Sequence, residues 1–274
     1  MTAARLVPTD HGRLSVMESG GAGAPVLFIH GNSACKEMFS RQFEGPMAQR
    51  YRFIAVDLPG HGASDNAPFP ARTYSIHGLA DAAIALLEAM AVEEAVIVGW
   101  SLGGHAALEV LARLPGARAA WITGTPPVGH APEDMAAAFL PSPTMALTFK
   151  PDFTDEEART YVRAGIGPLG AVEPWMVEAA LRADGQFRPL VLASAQAGLD
   201  MDEKAIVATA PQPLAVVTGA REPFVNNAYL AGLDYQNLWD GRVHVLPGLG
   251  HAPFWEAPDV FNPLLERFLD EVAR

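Results

Sequence analysis

Short apolar runs rich in β-branched residues recur along the chain, and several stop abruptly on a glycine, histidine or aspartate. Residues 26–29 run into His30 and Gly31, residues 53–56 into Asp57, and residues 95–98 into Gly99. Residues 119–122 and 214–217 have the same character, and 243–245 is a shorter case. Runs this short fit buried strands, since a helix needs roughly ten residues or more to bury a face. Helical patterns lie between them. Ser75 can N-cap one whose Leu79, Ala83, Leu86, Leu87 and Met90 share a face. Pro258 opens another, with Phe261, Leu264, Leu265, Phe268 and Val272 as its apolar stripe. Strand alternating with helix predicts an α/β architecture with a mostly parallel sheet, because parallel neighbours need a crossover connection. Residues 14–16 are predicted as an antiparallel edge strand.

The rhythm breaks between residues 126 and 209, where proline and glycine interrupt helical pieces and no strand is evident. Thr154, followed by Asp155, Glu156 and Glu157, is a capping-box signature for one of those helices. A helical insertion between two sheet strands predicts a lid over the strand ends. Residues 1–125 and 210–274 then form the core, 126–209 the lid, and the whole is one domain.

Composition narrows the function classes. A net charge of −12 offers no basic footprint for nucleic acid and no polybasic patch for anionic lipid. Cys35 is the one cysteine, so no intrachain disulfide can form, which points to a reducing compartment. Residues 1–10 hold no apolar signal-peptide core, and the most hydrophobic stretch, 82–100, is interrupted by Glu88, Glu93 and Glu94. A cytoplasmic protein with no membrane or nucleic-acid partner is expected.

The chemistry concentrates at Gly99-Trp100-Ser101-Leu102-Gly103, a G-x-S-x-G sequence directly after one strand pattern and directly before a helical one. A chain that turns so sharply holds its serine in strained backbone, and side chains at the two glycines would collide with neighbouring main chain. The hydroxyl is then presented at a strand end, above a helix N-terminus that favours developing negative charge. Ser101 is the candidate nucleophile.

A serine hydroxyl needs a base. Of the eight histidines, His130, His244 and His251 lie well downstream of the serine. His244 sits between valines in a strand and His130 at the start of the lid. His251 follows a strand in a glycine-rich loop that can carry an imidazole over the strand ends, and is the candidate base. Glu222 is the first carboxylate after residues 214–217 and the candidate acid, with Asp234 as rival and pairing with Arg221 as its bland alternative. The oxyanion donors expected are the N–H groups of Leu102 and, in the loop after residue 29, Asn32. His30 is read as bracing that loop, and 57–62 as a structural turn. Metal chemistry has little support: no HxH or HExxH pairing occurs, and Cys35 stands alone as a packed thiol. No phosphate-binding glycine pattern is present, so no cofactor is implied.

Taken together these residues resemble the α/β-hydrolase superfamily over nearly the whole chain. A finer match runs through residues 99–105, 123–128, 222–225, 237–239 and 250–254, which resemble the metal-independent N-acyl-homoserine lactonases of that fold. The resemblance implies opening of a lactone ring, glutamate as triad acid, and a lid tyrosine touching the lactone, for which Tyr161 is the matching position. Residues 148–150 and 169–175 are the least similar part. Met135, Ala136, Phe139, Leu140, Met145, Leu147 and Phe149 make the lid greasy enough for an aliphatic acyl chain, although each could simply pack the lid. Phe139 and Met145, with Trp100 of the serine motif, are the further substrate contacts expected. An acyl lactone or ester is the predicted small-molecule partner. A general carboxylesterase, a carbon–carbon bond hydrolase, a lactone-amide acylase and a non-catalytic receptor remain as alternatives.

Overall fold

The alternation of strand and helix becomes one eight-stranded sheet in the computed structural model, which describes residues 4–273. The strands are β1 (Arg5–Thr9), β2 (Gly12–Glu18), β3 (Pro25–Ile29), β4 (Arg52–Val56), β5 (Ala95–Trp100), β6 (Ala117–Thr123), β7 (Leu214–Gly219) and β8 (His244–Leu246). Their spatial order is β1-β2-β4-β3-β5-β6-β7-β8. The β1/β2 and β2/β4 pairs are antiparallel and all later pairs parallel. The principal helices are α1 (Ile76–Ala89), α2 (Leu102–Arg113), α3 (Pro132–Ala138), α4 (Asp155–Ile166), α5 (Pro174–Arg182), α6 (Phe187–Gln196), α7 (Glu203–Thr209) and α8 (Pro258–Val272).

Residues 14–16 do pair antiparallel, but not at the edge. They lie within β2, and Arg5–Thr9 covers them as the true edge strand. That edge escaped the sequence pattern because only Val7 of it is buried and Pro8 and Arg5 blur its alternation. The last strand is displaced by one residue, from the expected 243–245 to His244–Leu246.

Alternating residues of the central strands feed two apolar layers, one on each face of the sheet. Leu27, Ile29, Ile54, Val56 and Ile97 pack with Leu79, Leu86 and Leu108 of α1 and α2. Val26, Phe28, Phe53, Ala55 and Val98 pack with Phe261, Leu265 and Phe268 of α8. Ser75 caps α1 by accepting the Gly78 N–H, as its sequence predicts.

The segment between β6 and β7 carries α3 to α7 and no strand among the described residues; an isolated bridge joins Phe139 to Val225. Thr154 and Glu157 form the reciprocal capping box of α4. Among the described residues no helix is long and apolar enough to cross a membrane.

Candidate active site

Parallel strands bring their C-terminal ends to one edge of the sheet, where loops from separate strands can converge on one ligand. β5 ends in the serine turn. Ser101 adopts φ 54° and ψ −123°, outside the regions an L-residue ordinarily occupies. Its N–H donates to Thr123 O at 2.8 Å, and Thr125 Oγ1 donates to its carbonyl at 2.8 Å, so the end of β6 and the turn after it hold the strained peptide. A Cβ on Gly99 would lie 2.3 Å from Gly103 O, and one on Gly103 would lie 2.2 Å from Ile29 O. Only hydrogen fits at either position, which is why the strand can turn this tightly into α2.

β7 and β8 supply the neighbouring pair. Glu222 follows β7 and His251 follows β8, and both are nearly buried, at 7% and 4% exposure. His251 Nδ1 donates to the Glu222 carboxylate, with both oxygens at 2.9 Å. Glu222 Oε1 also accepts the Phe224 N–H at 3.0 Å, which fixes the carboxylate plane. The rival Asp234 is exposed, and no ion pair joins Arg221 to Glu222 among the described residues. Phe224 stands edge-on to the imidazole at 4.9 Å, and Trp100 Nε1 donates to the His251 carbonyl at 2.9 Å. The ring is therefore held on three sides, with Nδ1 engaged and Nε2 left for the cavity.

That cavity, of about 370 Å³, is lined by Ser101, Leu102, His251, Asn32, Trp100 and Tyr161 among others, and its wall is mainly apolar. The Leu102 N–H heads α2 and belongs to the first helical turn, whose amides have no intrahelical acceptor. Asn32 sits in the loop after β3, beside β5, with its side chain tied both ways: Nδ2 donates to Thr148 O at 3.0 Å and Oδ1 accepts from Ser33 Oγ at 2.8 Å. His30 braces the same loop as expected, donating from Nδ1 to Gly31 O and accepting the Leu58 N–H on Nε2. Tyr161, on α4, reaches the Asn32 carbonyl at 3.5 Å, and burial pushes its hydroxyl pKa up to about 12.

Of the seven apolar residues expected to offer acyl contacts, Met135, Phe139, Met145 and Phe149 line the cavity, whereas Ala136, Leu140 and Leu147 do not. Ala136, on α3, and Leu140, beyond its C-terminus, face solvent. His244 packs against Trp239 at 5.0 Å, and His130 bonds the Asp200 carbonyl; neither approaches Glu222 as His251 does.

Cys35, Glu37 and Asp57 bring ligand-type atoms within 4.8 Å of one another. Lys36 already offsets one of the two carboxylate charges, its ammonium lying 2.8 Å from both Glu37 and Asp57. Asp57 also accepts the N–H groups of Lys36 and Ala63, so the 57–62 turn is pinned from inside. Burial raises the Cys35 thiol pKa far above its ordinary value, which leaves it inert.

Two features escaped sequence reasoning. Arg188 of α6 is 1% exposed, donates to Lys150 O, Pro151 O and Ser33 Oγ, and lies over the Phe153 ring. It ties the inserted segment to the Asn32 loop. The available signal was a lone arginine between Phe187 and Val191 on a helix face. The second is a buried His105–Glu203 pair on the cavity wall, 2.8 Å apart, whose partners come from α2 and α7 and are remote in sequence.

Comparison with known proteins agrees with this architecture. The model of the alpha/beta hydrolase family matches residues 26–264. The solved structure of N-acyl homoserine lactonase AidH, complexed with N-butanoyl homoserine, superposes with a TM-score of 0.96 at 40% identity, covering 100% of this chain and 98% of that one. The pimeloyl-[acyl-carrier protein] methyl ester esterase of Nitrosospira multiformis is 28% identical over 92% of this chain and 97% of its own. Its counterpart from Aromatoleum aromaticum is 32% identical over 76% of this chain and 84% of its own.

Proposed function

This chain belongs to the α/β-hydrolase family and is a hydrolase of ester bonds, and from that premise we propose that it opens the ring of N-acyl homoserine lactones with a Ser101–His251–Glu222 triad. The observation that carries the lactone over a plain ester is the likeness to AidH along the entire chain, inserted segment included. Triad geometry alone serves any ester. Residues 126–209 act in this reading as the lid over the site, within a single domain whose core is 1–125 and 210–274.

His251 Nε2 takes the Ser101 proton, and Oγ attacks the lactone carbonyl. Glu222 holds the imidazole tautomer and stabilises the imidazolium. The N–H groups of Asn32 and Leu102 receive the oxyanion, each donor contributing about 3–4 kcal/mol to the barrier reduction. Collapse of the tetrahedral intermediate breaks the ring C–O bond, and His251 protonates the departing alkoxide. The alcohol stays tethered to the acyl-enzyme, where effective concentrations of about 10⁵ M or more favour reclosure. Tyr161 counters this by hydrogen-bonding the alcohol while a water, deprotonated by His251, releases N-acyl homoserine. Trp100, Phe139 and Met145 hold the acyl group. The chemistry needs no metal and no cofactor.

The likeness to methyl ester esterases favours one second reading, an esterase of acyclic substrates. Mass spectrometry of the product from an N-acyl homoserine lactone separates them. A gain of one water in an intact molecule, unchanged by chelator and abolished in Ser101→Ala, is the expected result. Cleavage of aryl or methyl esters without ring opening overturns the lactonase reading; release of free homoserine lactone identifies an amide acylase, and binding without turnover a receptor.

A further inference from the structure

His105 lies one helical turn beyond Ser101 on α2, its N–H directed to the Ser101 carbonyl at 3.4 Å. Side chains in a helix lean toward its N-terminus, so the imidazole tilts back over the serine turn. It is 12% exposed and lines the same cavity as Ser101 and His251. Glu203, 3% exposed at the start of α7, takes Nδ1 between its two oxygens at 2.8 and 2.9 Å. Glu203 is itself anchored, accepting the Val128 N–H at 2.9 Å and donating its own N–H to Val128 O at 2.9 Å.

This arrangement fixes Nδ1 as a donor to the protein and leaves Nε2 without a protein partner among the described residues. Burial opposes a charged imidazolium here, but the charge and hydrogen bonds of Glu203 outweigh it and hold the pKa above the usual histidine value. With Nδ1 committed to Glu203, Nε2 is the ring nitrogen left to hydrogen-bond a ligand in the cavity. The ring faces a mainly apolar wall, with Phe139 6.3 Å away. An anchored polar group with an unused nitrogen, set in apolar surroundings, is suited to fix the orientation of a ligand. The triad mechanism makes no use of it.

We propose that His105, positioned by Glu203, hydrogen-bonds through Nε2 to the amide of the substrate's acyl group and so selects lactones bearing an N-acyl amide over lactones without one. The assignment rests on the lactonase reading. In such a substrate the amide oxygen lies a few bonds from the lactone carbonyl carbon, and a helical turn rises about 5.4 Å, so one ligand spans Ser101 and His105. An acyl chain without the amide would leave the imidazole desolvated and unpaired, which is the stronger basis for discrimination.

The test compares N-hexanoyl homoserine lactone with a γ-butyrolactone carrying an alkyl chain of equal length at the same ring carbon. The ratio of their kcat/KM values is independent of how much of each variant folds. In His105→Leu that ratio is expected to fall by about tenfold or more, mainly through KM for the amide substrate. His105→Gln, which keeps a side-chain hydrogen-bonding group, recovers part of it, and Glu203→Gln lowers it less than His105→Leu. An unchanged ratio in His105→Leu, with both substrates slowed alike, overturns the assignment and leaves the lactonase reading standing. Failure of the wild-type protein to open either lactone overturns both.

Discussion

Gly124→Ala tests the placement of His251 without replacing any residue of the proposed triad. Gly124 follows β6 at φ 61°, and a methyl group there would lie 2.8 Å from His251 Cε1 and Nδ1 and 3.2 Å from its carbonyl oxygen. Ordinary contact begins near 3.5 Å, so the ring has to retreat by about 0.7 Å. Phe224 and Glu222 confine it, and such a shift carries Nδ1 toward the limit of a hydrogen bond from its present 2.9 Å. Alanine in the left-handed region adds about 1–2 kcal/mol of backbone strain, a fall in Tm of roughly 2–8 °C for a chain of this size. The protein stays folded at 25 °C, but misplacing a catalytic group by about 1 Å costs around a hundredfold, so kcat is expected to fall by roughly 10- to 100-fold with KM little changed. Gly241→Ala provides the control, since Gly241 has φ 62° with nothing near its absent Cβ. It should lower Tm similarly and leave kcat alone. Ring-opening rates at 25 °C and circular-dichroism melts of both variants decide the matter. Wild-type kcat in Gly124→Ala would mean that turnover does not depend on His251 at this position.

Lys36→Met strands the fully buried Asp57 carboxylate and should destabilise the fold by about 3–5 kcal/mol, read from denaturant midpoints; a change below about 1 kcal/mol would show the pair to be dispensable. Tyr161→Phe should lower kcat for the lactone more than for an acyclic ester, whose alcohol leaves the site and cannot reclose, and equal losses on both substrates would refute its role with the alcohol. Burial, then the neighbouring His30, holds the His61 pKa well below the usual histidine value, and its Nε2 accepts the Ser33 N–H at 3.2 Å. The unfolded chain binds a proton there that the folded chain resists, so the stability from the neutral ring is present above about pH 6.5 and lost as pH falls below it. Thermal melts should show the wild-type protein losing more stability between pH 7 and 5 than His61→Gln does; parallel slopes would argue against it.

The serine turn was legible because its requirements are local: Gly99 and Gly103 are needed for close approach within a few residues of Ser101, and that need is written at fixed spacing. The strands, the caps of α1 and α4 and the strand-free character of 126–209 were legible for the same reason, since periodicity and capping act over one or two turns. The identity of the edge strand was not, because whether residues 14–16 or Arg5–Thr9 ends the sheet depends on which hydrogen-bond row another segment covers. Glu222 could be ranked above Asp234 by position, but their difference in burial and the approach of Glu222 to His251 arise from the packing of β7 beside β8. Arg188 and the His105–Glu203 pair carried almost no sequence signal. A buried charge is tolerated where partners from distant segments neutralise or solvate it, and those partners, at Lys150, Pro151 and Ser33 for one and at Val128 for the other, meet only once the inserted helices have folded against the core. Sequence alone thus determined the α/β architecture and the strained serine; tertiary structure decided the surroundings of that serine, because long-range burial and charge compensation have no fixed spacing along the chain.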